Sequence, residues 1–213
     1  MLAYLISAYC DPDHLTRLID ALDYNADFYV HVDANVDVRP FKRLLPQKVV
    51  FVKRHYVSWG GWEQVAYQYE LMKAAIESKQ PYTHLVCLSG QDYPLWSNKK
   101  IHQFFNQNID REFIAGYNLS NTENKDQLRK ITHYHPFRDL NMRNQWLKNK
   151  IVVASRHMLA WMGVRRSKQV TINGMKRDVY FGSDYWAITL DCAKYVKRIL
   201  ETNKPLVRYF KTV

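Results

Sequence analysis

The stretch Leu88-Ser89-Gly90-Gln91-Asp92-Tyr93-Pro94-Leu95 decides how this chain folds. Just before it, His84-Leu85-Val86-Cys87 runs into Leu88 as a short apolar segment of strand character. Gly90 and Pro94 then work against any regular continuation, the first through its backbone entropy and the second through its missing N–H. A buried strand that stops on a polar loop leaves Asp92 at the mouth of a sheet.

The same grammar recurs outward from this point. Residues 2–8, 28–32 and 49–52 are apolar runs of strand length. After the first, Asp11-Pro12-Asp13 offers cap residues and a proline suited to a first helical turn, and Leu15, Leu18, Ile19 and Leu22 follow at helical spacing. Gly60-Gly61 opens a longer helix with Val65, Tyr69, Met72, Ala75 and Ile76 as its apolar stripe. Downstream, the pattern predicts a helix over 99–106, strands over 112–117 and 179–190, and a helix over 191–202 capped by Asp191. Strands alternating with helices predict an α/β protein with a mostly parallel central sheet flanked by helices. Ligands of such sheets bind beyond the carboxyl ends of the strands. Tyr9, Asp33, Arg54 and Asp92 are therefore expected to share one rim.

Residues 118–176 break the rhythm. They are polar, basic and irregular, and include Thr132-His133-Tyr134-His135-Pro136-Phe137-Arg138. Helices are predicted over 140–150 and 155–162. With no evident core of its own, the segment reads as an insertion over the rim of a single domain spanning 1–213.

Hydrophobic residues make up 47% of the 213, which excludes a disordered chain and supports a substantial core. Aromatics reach 14%; they read chiefly as core, with a surplus available to stack on sugars or bases. Lys and Arg number 31 against 20 Asp and Glu, a formal charge of +11. That field favours nucleic acid, acidic membrane surfaces or phosphate-bearing small substrates. The basic residues are dispersed, with modest clusters at 125–130, 138–150 and 165–168. Cys10, Cys87 and Cys192 are odd in number and fit no zinc spacing. Cys87 reads as a buried free thiol, and the set points to a reducing, cytoplasmic setting. No apolar run reaches the length of a membrane span, and the first residues carry no basic leader.

Several common chemistries are excluded. The chain has no G-x-G-x-x-G, no G-x-x-x-x-G-K-[ST] and no G-x-S-x-G. His133 and His135 lie two apart with no third ligand nominated, so they read as loop residues and no metal is expected. Asp33 closes Val30-His31-Val32-Asp33 and can accept from a uracil or a ribose; it can equally form a turn. Asp92 carries the same double reading.

Four segments occur in order: V-H-V-D at 30–33, V-x-W-G-G-x-x-x-V at 57–65, L-S-G-Q-D-Y-P-L at 88–95 and F-G-S-D-Y-W-A-I-T at 181–189. Together they resemble the core-2/I-branching β-1,6-N-acetylglucosaminyltransferase family, with its related peptide O-xylosyltransferases. The resemblance covers the chain from Leu2 onward except the variable middle, and the start directly on the first strand looks like the bacterial members. It implies a GT-A-like nucleotide-sugar-binding fold. It implies an inverting, metal-independent glycosyltransferase that moves N-acetylglucosamine or xylose from a UDP donor to a glycan hydroxyl. UDP-sugar is then a substrate, no cofactor is implied, nucleic acid is not a partner, and membrane association is at most peripheral. The sequence agrees in lacking a D-x-D, since Asp33 and Asp37 are too widely spaced. Positive side chains must then neutralise the leaving diphosphate.

By position, the resemblance implies that Ser7 and Ala8 border the uracil and that Asp33 contacts the uridine. Arg54 and Trp59 would line the nucleotide pocket. Gln91 and Asp92 would lie near donor sugar and acceptor, with Ser183 and Asp184 at the floor of the acceptor side. The resemblance also implies a later P-D-E segment whose Glu is the general base. The chain stops at Val213, where that segment would begin, so the expectation is a C-terminally truncated form with no catalytic base named within it. Two alternatives stay open at this point: a basic binding module for nucleic acid or an anionic polymer, and a catalytically inactive binder of UDP-sugar.

Overall fold

The structure, a computed structural model, describes every residue except Pro46, Trp59, Asp139, Asn141, Arg143 and Val213. Its residues form two compact units. The first comprises 1–57, 65–115 and 183–198; the second comprises 58–64, 116–182 and 199–213.

The chain runs β1 (Leu2–Ala8), α1 (Pro12–Leu22), β2 (Ala26–Val32), α2 (Arg39–Leu44), β3 (Val49–Phe51), α3 (Glu63–Glu77), β4 (His84–Ser89) and α4 (Asn98–Gln107). β5 (Phe113–Asn118), α5 (Lys125–Thr132), α6 (Gln145–Trp161), β6 (Gln169–Ile172) and β7 (Met175–Asp178) follow. β8 (Tyr180–Thr189), α7 (Leu190–Thr202) and α8 (Lys204–Phe210) complete it. A six-stranded sheet has the order β3-β2-β1-β4-β8-β5. β1 is parallel to both β2 and β4, β2 is parallel to β3, and β8 runs antiparallel to β4. This is the GT-A-like α/β class expected from the sequence.

The apolar run of β1 is continuous because both faces of the sheet are covered. Leu2, Tyr4, Ile6 and Ala8 join one cluster, with Leu15, Leu18, Ile19 and Leu22 of α1. Ala3 and Leu5 join the other, with Tyr67, Leu71, Met72 and Ala75 of α3. The alternation is the two-residue period of a strand, and the helical stripes meet it from either side. Leu5 has no exposed surface, so Leu5→Ala would cost about 2–5 kcal/mol in lost transfer energy and cavity formation. α1 starts where its cap chemistry dictates: the Asp11 carboxylate accepts from His14 N–H at 2.9 Å, and Pro12 occupies the first turn.

The second unit has an apolar cluster of its own, which the polar composition of 118–176 did not suggest. Leu119, Ile131, Val170, Val179, Ile199 and Leu206 are buried together. Three of the six, Val179, Ile199 and Leu206, come from outside 118–176, so the cluster exists only once distant segments meet. The helices expected over 140–150 and 155–162 are the single helix α6, 17 residues long. No glycine or proline interrupts 145–161, so nothing breaks it. β6 and β7 form a hairpin across Asn173-Gly174, whose φ values of 49° and 78° are those of the turn type that matches strand twist. α3 begins at Glu63, two residues after Gly61, because Gly60 at φ 72° sits in a turn ahead of it.

Candidate functional site

The carboxyl ends of β1, β2 and β4 converge within the first unit. Ser7 is paired in register with His31 of β2 and with Ser89 of β4. Beyond the strands, Asp33 N–H donates to the Ala8 carbonyl at 2.9 Å, and Gly90 N–H donates to the Ser7 carbonyl at 2.7 Å. A Cβ on Gly90 would lie 3.1 Å from the Ala8 Cβ and 3.3 Å from the Ser7 carbonyl oxygen. Glycine is required there by proximity, since the loop backbone lies against the end of β1.

Asp33 is half-buried. Its Oδ1 accepts from Asn35 N–H at 2.8 Å and from the Asn35 side chain at 2.9 Å. Val57 N–H approaches the same oxygen at 3.4 Å. Asp33 is thus a turn former that also presents a carboxylate at the rim. Arg54 supports it from behind. Its Nε donates to the Val32 carbonyl at 3.0 Å, and its Nη2 donates to the carbonyls of Asp33 at 2.7 Å and of Val36. These donors are committed to the protein's own backbone, so Arg54 enters the site through the loop it holds.

His31 ties the next loop to the sheet. Its Nε2 accepts from His55 N–H at 3.0 Å, which requires that nitrogen to be unprotonated. The ring stacks on Tyr67 with centroids 4.7 Å apart. Burial, then the charges of His55 and Arg54, lowers its pKa from 6.5 to about 4. The Tyr67 hydroxyl is hydrogen-bonded to the side chains of Ser7 and Gln68, although burial outweighs those bonds and raises its pKa. Gln68 Oε1 in turn accepts from Trp186 Nε1–H at 3.1 Å.

Asp92 braces its own loop. Its Oδ2 accepts from Ser89 N–H at 2.8 Å, and its carbonyl faces His14 Nε2 at 3.0 Å. The antiparallel β8 brings Tyr185 to it. The Tyr185 hydroxyl is hydrogen-bonded to Asp92, and burial first, then the charges of Asp92 and Asp184, raises its pKa. The same two carboxylates add to burial in pushing the Cys87 thiol up to about 12, so Cys87 is an inert core thiol. Gln91, Ser183 and Asp184 are exposed. Ser183 Oγ accepts from Tyr185 N–H at 3.1 Å.

Ser7, Ala8, Asp33, Arg54, Gln91, Asp92, Ser183 and Asp184 thus all belong to the first unit. Trp59 lies outside the described residues. Sequence alone does not single out Tyr67, Gln68 and Tyr185, which link Ser7 and Asp92 to the rest. Tyr67 lies outside the apolar stripe that the sequence assigns to this helix, although the structure buries its side chain. Tyr185 stood inside a quoted motif. Among the described residues, no group of three or more His, Cys, Asp and Glu is placed to hold a metal ion. No helix among them is long and apolar enough to cross a membrane.

Residues 2–209 match the family described as Core-2/I-Branching enzyme. A pig protein described as a probable beta-1,3-galactosyl-O-glycosyl-glycoprotein beta-1,6-N-acetylglucosaminyltransferase 7 is 27% identical over 111 residues, or 48% of this chain. The matched part spans 26% of that relative's length.

Proposed function

The chain belongs to the Core-2/I-branching enzyme family, and on that premise we propose that it acts as an inverting glycosyltransferase using a UDP-sugar. The donor sugar in this reading is N-acetylglucosamine or xylose, the acceptor is a glycan hydroxyl, and no divalent metal takes part. The observation that carries the reading is the convergence of Ser7, Asp33 and Asp92 at the carboxyl ends of β1, β2 and β4, where α/β sheets bind nucleotides.

Each residue has a task that its geometry allows. The Asp33 carboxylate, fixed by Asn35 and by the Arg54-held loop, offers an acceptor to the uridine. Ser7 and Ala8 form the floor beneath it, with Gly90 keeping the backbone close. Asp92 orients the loop that carries Gln91. Ser89 N–H and the Tyr185 hydroxyl both engage its carboxylate, which gives it the task of positioning the loop. Asp184 is exposed on β8, open to a sugar hydroxyl. A diphosphate leaving group needs neutralising charge, and the +11 balance supports supplying it from Lys and Arg.

Calorimetric titration with UDP tests this directly. Asp33→Ala is expected to weaken binding by about 1–3 kcal/mol, the usual worth of a hydrogen bond to a charged group. Unchanged affinity would remove Asp33 from the site. Absence of any UDP binding by the wild-type chain would overturn the reading as a whole.

A further inference from the structure

The second unit contains a cleft of ≈ 470 Å³ that the proposed transfer site does not use. Arg129, Lys130, His133, His135, Arg156 and His157 line it. The volume falls in the range of about 300–1,000 Å³ typical of small-molecule sites. Its one lining carboxylate, Asp126, is 3.0 Å from Arg129, and both are exposed, so that pair is weak. Lys130 lies over the Phe181 ring, 4.5 Å from its centroid. Arg156 makes no ion pair among the described residues. Three fixed cations are therefore gathered against one carboxylate.

A second observation is independent of the charge count. His135 is only 8% exposed. Its Nδ1 faces Arg138 Nη2 at 3.1 Å, and since a guanidinium only donates, Nδ1 must accept. The proton then sits on Nε2, which is buried with no acceptor among the described residues. A buried donor left unmade is costly, and an anion that displaces the side chains covering this nitrogen would satisfy it. The surroundings also disfavour a further positive charge. Burial, then Arg138, Arg156, Arg166 and His133, lowers the His135 pKa from 6.5 to about 4.

We propose that this cleft binds a tetrahedral oxyanion, a phosphate or sulfate ester, with Arg129 and Arg156 as its charged clamp and His135 Nε2–H as a neutral donor. Donors reach the cleft from α5, from α6 and from the segment between them. A tetrahedral group can accept from three directions at once, whereas a planar carboxylate is matched by a single guanidinium fork. For a glycosyltransferase, a ligand with such a group is a phosphorylated or sulfated saccharide. That last step rests on the proposed function; the oxyanion site does not.

Nuclear magnetic resonance titration of the whole chain separates these claims. The probes are inorganic phosphate, glucose 6-phosphate, glucose and UDP, with the imidazole signals of His133, His135 and His157 followed against those of His14 and His102. Phosphate should shift the three cleft histidines selectively. Glucose 6-phosphate should bind at least as well, and glucose should leave them unmoved. Arg156→Gln should weaken phosphate binding about tenfold, as loss of a charge-assisted hydrogen bond predicts. Lys99→Gln, with the same charge change on an exposed site of α4, should not. If Arg156→Gln does not fold, Lys130→Gln replaces it. Uniform shifts, or equal losses in Lys99→Gln, would overturn the site. UDP or a single-stranded oligonucleotide displacing glucose 6-phosphate at lower concentration would overturn the saccharide assignment. Phosphate binding in the cleft with no UDP binding anywhere would leave the oxyanion site standing and remove the transferase reading.

Discussion

The guanidinium of Arg54 holds the main-chain oxygen of Asp33 at 2.7 Å, while the Asp33 side chain turns the other way to close a turn with Asn35. One residue thereby fixes the backbone of the other from behind and leaves its carboxylate at the rim. Arg54 also holds the carbonyls of Val32 and Val36, so the loop following β2 is tied at three points.

Arg54→Lys should separate this support from charge. Lysine keeps the positive charge but cannot present a planar fork to separate carbonyls. Stability should fall by about 1–3 kcal/mol as buried acceptors lose their partner. UDP affinity should fall with it although Arg54 need not touch the nucleotide. Denaturant unfolding together with calorimetry checks both; an unchanged midpoint would show that the three-point tie carries no weight.

Gly90→Ala should destabilise the chain by about 1–3 kcal/mol, the usual cost of overpacking. The new methyl would meet Ala8 Cβ at 3.1 Å. Adding Ala8→Gly removes that contact and should restore part of the loss, leaving the Ser7 carbonyl contact. Thermal melts of the single and double variants suffice, and equal melting of both variants would point to a different cause.

His31 makes stability depend on pH. Its folded pKa of about 4 lies below the 6.5 of the unfolded chain, so between these values the unfolded state binds more protons. The stabilisation is whole above about pH 6.5 and is lost as pH falls toward 4, on the order of 3 kcal/mol by the usual conversion. Protonating Nε2 also removes the acceptor of His55 N–H. The charged and titratable groups facing this point are Arg54 and His55, with Glu70 3.8 Å from His55. His31→Gln should flatten the slope of unfolding free energy over that window. His135, lowered similarly, contributes in the same sense, as do His102 and His133, which burial also lowers.

Asp92→Asn and Asp184→Asn should behave differently. The first weakens the bond to Ser89 N–H and the link to Tyr185, costing about 1–2 kcal/mol of stability. The second alters an exposed carboxylate and should leave stability within about 0.5 kcal/mol. If Asp184→Asn alone abolishes sugar transfer while the fold is intact, Asp184 touches the acceptor.

EDTA should leave UDP binding unchanged. A requirement for manganese or magnesium, restored on re-addition, would contradict the metal-independent proposal and direct attention to Asp33, Asp37 and Asp92 as ligands.

Much of the first unit was legible residue by residue. β1, β2 and β4 read as apolar runs because both faces of each are covered, whereas β3 at the sheet edge leaves Val50 exposed; α1 is marked by Asp11, Pro12 and its leucines. The second unit was less legible. Asn173-Gly174 is a strong local hairpin signal, and Gln169-Val170-Thr171-Ile172 before it alternates polar and apolar, but Met175-Lys176-Arg177-Asp178 after it does not, so only one arm of the hairpin carries a strand pattern. The polar residues of α6 interrupt its apolar pattern, so the sequence alone suggests two helices where the structure has one.

The sequence by itself determined the strand ends and therefore which residues stand at the rim: Ser7 and Ala8 close the first run, and Asp33 and Asp92 follow runs that stop just before them. It also carried the motifs that matched the family. Only the tertiary structure decided what those residues do. Asp33 and Arg54 are 21 positions apart, and nothing local says that one side chain will be spent on the other's carbonyl. Tyr185 reaches Asp92 because β8 enters the sheet antiparallel beside β4, a pairing across roughly a hundred residues. Periodicity reports which face of a segment is buried; it is silent on which distant segment lies against it. Hydrogen-bond partners are chosen at that second step, when the closure entropy of long loops is met by burial of both faces of the sheet.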